Sequence, residues 1–274
     1  MVVREIRAKG ILQRSRLPGT DYAINPYTGC VHGCVYCYAR FMKRFTGHPE
    51  PWGGFLDAKI NAPELLEREL SRRRTPLAGG VFLSSVTDPY QPPERKFALT
   101  RGILETLLRH GVPVSILTKS DLVLRDLDLL ETSAGCSVGL SLGVLDDDWG
   151  ARLEPRAAPP SRRLAALRAL RAHGIETWGF VSPFLPGVSD IRRIVEALAG
   201  AVDRFHVEAI NTGAGNWSGT LAAIARKDPD LARTSARRAN DPAYWRGLED
   251  RARSIGRQAG LELAGFYHHR TVRR

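Results

Sequence analysis

Between residues 63 and 211, short apolar runs bounded by Gly or Pro alternate with stretches of helical length whose apolar residues share one face. Residues 63–73 (PELLERELSRR) gather Leu65, Leu66 and Leu70, and Pro63 suits a first helical turn. Residues 80–85 then read as a strand, 99–109 as a helix despite Gly102, 112–118 as a strand, 122–131 as a helix and 136–145 as a strand. The helix expected over 161–172 sets Leu164, Leu167 and Leu170 together, and 175–181, 191–198 and 205–210 continue as strand, helix and strand. Strands separated by helices at this spacing imply βαβ units, a parallel sheet and right-handed crossovers. With the run at 21–28 as the first, there are six strands, enough for an open doubly wound sheet or a partial barrel. In both α/β arrangements ligands gather at the carboxyl ends of the strands. The residues to inspect there are Thr28 and the loop after it, Thr87 and Asp88, Thr118 and Lys119, Ser141, Ser182 and Asn211.

The loop after the first strand reads Cys30-Val-His-Gly-Cys34-Val-Tyr-Cys37, which holds three of the four cysteines at C-x3-C-x2-C spacing. Such clustering suits a metal or cluster site in a reducing compartment better than a disulfide framework. Three thiolates can hold three irons of a [4Fe-4S] cluster and leave the fourth iron open, which favours coordination of a substrate or cofactor. Structural zinc is the competing reading, and its tetrahedron would need His32 and the distant Cys136. Cys136 begins the fourth strand, the wrong end for the site, and reads as core.

Forty Lys and Arg against twenty-nine Asp and Glu leave a net charge of +11, which favours an anionic partner such as nucleic acid, although scattered arginines account for much of the excess. Residues 1–10 carry Arg4, Glu5, Arg7 and Lys9 and no apolar core of signal-peptide length, and no apolar run approaches a membrane span. A cytoplasmic protein without membrane attachment is the expectation.

Residues 1–20 read as an arm packed across the domain, and the segment around Pro49, Pro51, Gly53 and Gly54 as irregular. The glycine-rich stretch 212–219 lacks a P-loop lysine and reads as a surface loop rather than a phosphate cradle. Residues 220–239 look helical and basic, 241–259 form a helix, and 261–266 form a last strand before the aromatic, basic tail 266–274. The expected organisation is the arm, a main domain over 21–215, and a C-terminal extension over 216–274 packed upon it.

The cysteine spacing, with Tyr36 just before the last cysteine, resembles the signature of the radical S-adenosylmethionine (SAM) superfamily. Asn25-Pro-Tyr-Thr-Gly-Cys30, Cys37-Tyr-Ala-Arg40, Thr87-Asp-Pro-Tyr-Gln-Pro92, Leu117-Thr-Lys-Ser120, Leu153-Glu-Pro-Arg156 and Pro183-Phe-Leu-Pro-Gly-Val-Ser-Asp190 are similar to the group containing spore photoproduct lyase and DNA repair photolyase-like relatives. That resemblance spans about residues 20–211 and implies a partial (β/α)6 barrel. It also implies a [4Fe-4S] cluster on Cys30, Cys34 and Cys37, whose electron cleaves SAM to a 5'-deoxyadenosyl radical. By the same resemblance, Tyr36 lies beside the adenine, Lys119 and Ser141 hold polar parts of SAM, and Asp88 takes hydrogen bonds from ribose or substrate. Asp88 equally suits the start of an Asp-Pro turn. Arg156 reaches the site, or pairs with Glu154 or Asp148.

Tyr38 is the candidate catalytic residue, since tyrosines beside the cluster assist hydrogen return in spore photoproduct lyase. The lyase's hydrogen-donating cysteine is matched best by Ser85, whose O–H bond is too strong for that task. Implied partners are a reductant such as flavodoxin or ferredoxin and a DNA or RNA substrate. A peptide or small metabolite is the alternative substrate, and a zinc-containing, non-catalytic nucleic-acid-binding protein the alternative class.

Overall fold

The computed structural model describes residues 1–17, 19–133 and 135–269. Its main sheet has eight strands in the spatial order Glu262–Tyr267, Arg204–Ala209, Glu176–Phe184, Cys136–Ser141, Val114–Thr118, Val81–Leu83, Tyr22–Ile24 and Leu12–Arg14. Every neighbouring pair is parallel except the last, Leu12–Arg14 against Tyr22–Ile24. The six expected strands therefore lie side by side in chain order, as successive βαβ units require. The expected last strand joins the same sheet as a seventh parallel member, so residues 216–274 supply a strand as well as helices. The arm contributes too, because Leu12–Arg14 covers the opposite edge and Val2–Ile6 pairs with Phe55–Lys59 in a small second sheet.

Several boundaries differ from expectation for local reasons. Residues 122–131 divide into a 3-10 helix, Asp121–Asp126, and a short α-helix, Leu127–Glu131. Residues 220–239 divide into Trp217–Ala225 and Pro229–Ala239, because Pro229 has no N–H to continue a helix and Asp228 caps the next one. The strand expected over 136–145 ends at Ser141, and Asp146 then caps Asp147–Leu153 through the Trp149 N–H. The strand Phe55–Lys59 was not legible, being short, buried and preceded by a Pro/Gly-rich stretch. Of the basic tail, residues 270–274 lie outside the described residues.

Strand register settles which side chains face the helices and which face the hollow of the sheet, since successive residues alternate sides. A Cβ at Gly179 would meet Leu198 of the helix Ile191–Leu198, so 177, 179 and 181 face outward. A Cβ at Gly139 would meet the ring of Trp178, its register partner, so these two face inward. The inner face consequently carries Ser115 and Ser137, hydrogen-bonded at 3.2 Å, then Ser141, Trp178, Phe180, Ser182, His206 and Glu208. The outer face supplies Val114, Ile116, Val138, Leu140, Val181, Phe205 and Val207 to the main core beneath the helices.

Candidate active site

The three cysteines sit on a loop built almost wholly from contacts to other elements. Gln91 Oε1 accepts the Val31 N–H at 2.8 Å, the Thr87 hydroxyl donates to the Gly29 carbonyl, and the Leu153 carbonyl accepts the Val35 N–H at 2.9 Å. Arg156 does not pair with Glu154 or Asp148 but donates to the carbonyls of Val31 and Gly53, clamping the loop from behind. Gly33 is required beneath that clamp: its φ is +65°, and a Cβ would lie 2.8 Å from Arg156 Nη2. The glycine-rich loop after Asn211 presses on the other side, where a Cβ at Gly215 would meet the Tyr36 carbonyl at 2.7 Å. The loop following the sixth strand thus touches the loop following the first, and the sheet curls round the hollow between them.

All three thiols are free, Cys30 and Cys34 are buried, and Cys37 is half-buried. Burial pushes each of them above the ordinary thiol range, with the neighbouring thiols adding to the effect at Cys30 and Cys34. Three thiolates gathered in so dry a place need a cationic centre to hold them. No three His, Cys, Asp or Glu side chains among the described residues converge on a single ion. Three thiolates at C-x3-C-x2-C spacing suit a cluster, whose ligands bind different irons. Trp52 adds an independent observation: its buried indole N–H meets no hydrogen-bond partner, yet it stands beside Cys37 and favours that residue's thiolate. Hydrogen bonds to ligand sulfurs tune iron–sulfur clusters, and an unpartnered donor packed beside Cys37 is placed to supply one. The zinc reading loses its distant ligand, Cys136. His32 Nδ1 faces Asp88 at 3.5 Å, and Cys136 accepts from Ser133 at the far end of its strand.

Around the loop, the strand ends bring the expected polar residues together. Asp88 is buried and committed, accepting from the Tyr90 N–H at 2.9 Å, the Thr118 hydroxyl at 2.7 Å and the Lys119 N–H at 2.8 Å. It therefore fixes the end of the third strand, the turn role its Asp-Pro context allowed. Lys119 projects its ammonium 4.0 Å from Glu154 and 5.9 Å from the Tyr36 ring centroid. Ser141 is buried on the inner face, and its carbonyl accepts from Arg163 at 2.6 Å. Tyr36 is buried and gives its hydroxyl to Glu154, whose other oxygen takes the guanidinium of Arg163. Desolvation would raise the pKa of Glu154, but Arg163, Lys119 and the Tyr36 hydroxyl outweigh it and hold the carboxyl below its ordinary value.

Glu154 and Arg163 were missed as site residues. Each reads as a surface charge near a helix end, and only the fold shows that they are 3 % and 1 % exposed. Across the hollow, Glu208 takes the Ser182 hydroxyl and lies 2.8 Å from His269 Nε2, while Tyr267 stacks on His206 with ring centroids 5.9 Å apart. Tyr38 closes the ring, donating its hydroxyl to the Ser85 carbonyl. Desolvation around its hydroxyl, then the charge of Glu208, raise its pKa, although 42% of the residue stays exposed. Ser85 Oγ lies 3.3 Å from Asn25 Nδ2.

A family model described as the radical SAM superfamily matches residues 24–199. The chain belongs to the radical SAM superfamily. Members of this family are enzymes that use a [4Fe-4S] cluster and SAM, and the dry, three-cysteine loop is of the right kind to take them. An uncharacterized protein of Methanocaldococcus jannaschii is 35% identical over 207 residues, 76% of this chain and 77% of that one. The radical SAM Nalpha-GlyT isomerase of Pseudomonas phage M6 is 33% identical over 66% of this chain, but the match spans only 37% of the phage protein. Among solved structures, spore photoproduct lyase complexed with dinucleoside spore photoproduct superposes with a TM-score of 0.65 at 16% identity, covering 96% of this chain and 82% of that one. Streptococcus suis SuiB bound to the precursor peptide SuiA gives a TM-score of 0.61 at 17% identity, over 91% of this chain and 48% of that one. At these identities the two structures share the radical SAM fold with this chain. No helix among the described residues is long and apolar enough to cross a membrane.

Proposed function

We propose that this radical SAM enzyme holds one [4Fe-4S] cluster on Cys30, Cys34 and Cys37, cleaves SAM reductively, and acts on a nucleic-acid substrate. The carrying observation is the loop itself: three free thiols, two buried and one half-buried, on a loop held by Gln91, Thr87 and Arg156 at the mouth of a curled parallel sheet. When bound, the cluster and SAM supply an electron and a 5'-deoxyadenosyl radical able to abstract a substrate hydrogen. The protein's task is orientation, charge and exclusion of water.

Lys119, only 15% exposed, offers an ammonium for the cofactor's carboxylate, and Asp88 fixes the backbone from which it projects. Tyr36, pinned by Glu154, forms a flat wall for the adenine, and Ser141 supplies a hydroxyl on the inner face. Tyr38 is the proposed catalytic residue, because its phenol stands at the mouth beside Ser85, whose own hydroxyl holds its hydrogen too strongly to serve a carbon radical. The electron comes from a small carrier such as flavodoxin or ferredoxin.

Nucleic acid is favoured by the net charge of +11 and by the spore photoproduct lyase likeness, which extends over 96% of the chain. A peptide substrate is the second reading, supported by the likeness to peptide-bound SuiB. Anaerobic reconstitution should give a brown protein with about four irons per chain. Dithionite and SAM should then release 5'-deoxyadenosine. Zinc without iron after anaerobic purification would refute the cluster assignment, and absence of salt-sensitive DNA or RNA binding would refute the substrate class.

A further inference from the structure

The 3-10 helix Tyr38–Phe45, which starts immediately after Cys37, is unlike the rest of the surface. Tyr38, Phe41 and Phe45 are 42%, 40% and 66% exposed, and no other Phe, Tyr or Trp among the described residues reaches such exposure. Open rings cost free energy in water, so three on one short helix mark a surface that is used. The helix carries no acidic residue, and its basic residues are interleaved with the rings. The Arg44 guanidinium bridges two of them, 5.6 Å from the Phe41 centroid and 4.7 Å from that of Phe45. Tyr38 ties this platform to the mouth of the sheet through the Ser85 carbonyl.

We infer that this helix is a stacking platform for single-stranded or unstacked nucleic acid, delivering a nucleotide to the mouth beside Tyr38. The inference rests on the nucleic-acid reading above and adds both the place and the strandedness of the substrate. Phosphates account for the cations alone, since a duplex keeps its base faces covered and has no use for exposed rings. A single strand uses both features, its bases lying on aromatic and guanidinium planes while Lys43 and Arg44 meet the backbone. An acidic electron carrier would also be drawn to the charge, and the experiment separates it.

Binding of a short fluorescent oligothymidylate and of a hairpin duplex to the cluster-reconstituted full chain is measured by anisotropy. Phe41→Ala and Phe45→Ala should each weaken single-strand binding about tenfold, with much less effect on the duplex, and Phe45→Trp should restore it. Lys43→Ala with Arg44→Ala should flatten the dependence of log K on log salt by about 1 to 1.5. Iron content and thermal midpoint serve as controls, because the rings are exposed.

Wild-type binding that both ring variants retain in full would overturn the platform while leaving the substrate class standing. Retained oligonucleotide binding with slower cluster reduction by flavodoxin, but not by dithionite, would also overturn it and assign the helix to the electron carrier. Absence of wild-type binding to either oligonucleotide at low salt would remove the nucleic-acid reading and the platform with it.

Discussion

The two walls of the mouth are built on opposite principles. On the cysteine side, Tyr36, Asp88, Glu154 and Arg163 are all buried and bonded to one another or to neighbouring protein groups, with only the Arg163 Nε left without a partner among them. Across the hollow, Glu208 and His269 keep 20% and 35% of their side-chain surface in solvent, although they bond to each other. Charges taken out of water must be paired or they unfold the protein, whereas half-wet charges are screened and can be exchanged for a ligand's groups. Under the proposed function, the first wall would hold the cofactor in one geometry and the second would meet the substrate.

The largest break in this contrast should come at the loop. Cys34→Ala should abolish 5'-deoxyadenosine release and lower the iron recovered on reconstitution, measured by chromatography and iron assay. Glu154→Ala should come next, because it strands Arg163 without its carboxylate in a dry interior. A loss of about 3–5 kcal/mol in unfolding free energy is expected from denaturant titration.

Trp52→Phe should cost about 1–3 kcal/mol of stability, since the smaller ring leaves a cavity in a buried site while the lost N–H strands no partner. It should lower the cluster's midpoint potential in an EPR-monitored titration, because the indole N–H favours the more negative, reduced state. An unchanged potential would show that this N–H does not reach Cys37.

The smallest effect should be at Glu208→Gln, with a stability change under about 1 kcal/mol. His269 gives a sharper readout: hydrogen bonding and the charge of Glu208 raise its pKa, so the variant should bring it down toward the ordinary imidazole value in an NMR titration. The sign also fixes the pH dependence. A raised histidine pKa stabilises the fold below its unfolded value, and that contribution fades as pH rises through the folded one. If Glu208→Gln destabilised as much as Glu154→Ala, the two walls would not differ in kind.

Much of the fold was legible because burial leaves a periodic trace. The helix expected over 99–109 is Leu99–Arg109, and that over 191–198 is Ile191–Leu198. The strand Phe55–Lys59 left no such trace, since it pairs with the distant segment Val2–Ile6 and no local pattern records a partner. Within the site, the chain's local spacing marked Cys30, Cys34 and Cys37, and strand ends marked Asp88, Lys119 and Ser141. It could not mark Trp52, Arg163 or Glu208, ordinary residues until the fold places them.

By itself the sequence determined the βα order, the parallel sheet and the cluster-type spacing of the cysteines, because these are set by neighbours a few residues apart. Only the tertiary structure decided that Arg156 clamps the cysteine loop rather than pairing with Glu154, that Asp88 bonds to the end of the third strand, and that the final strand extends the sheet. Those outcomes depend on which groups lose water together when distant segments meet, and that choice is made by packing rather than by spacing along the chain.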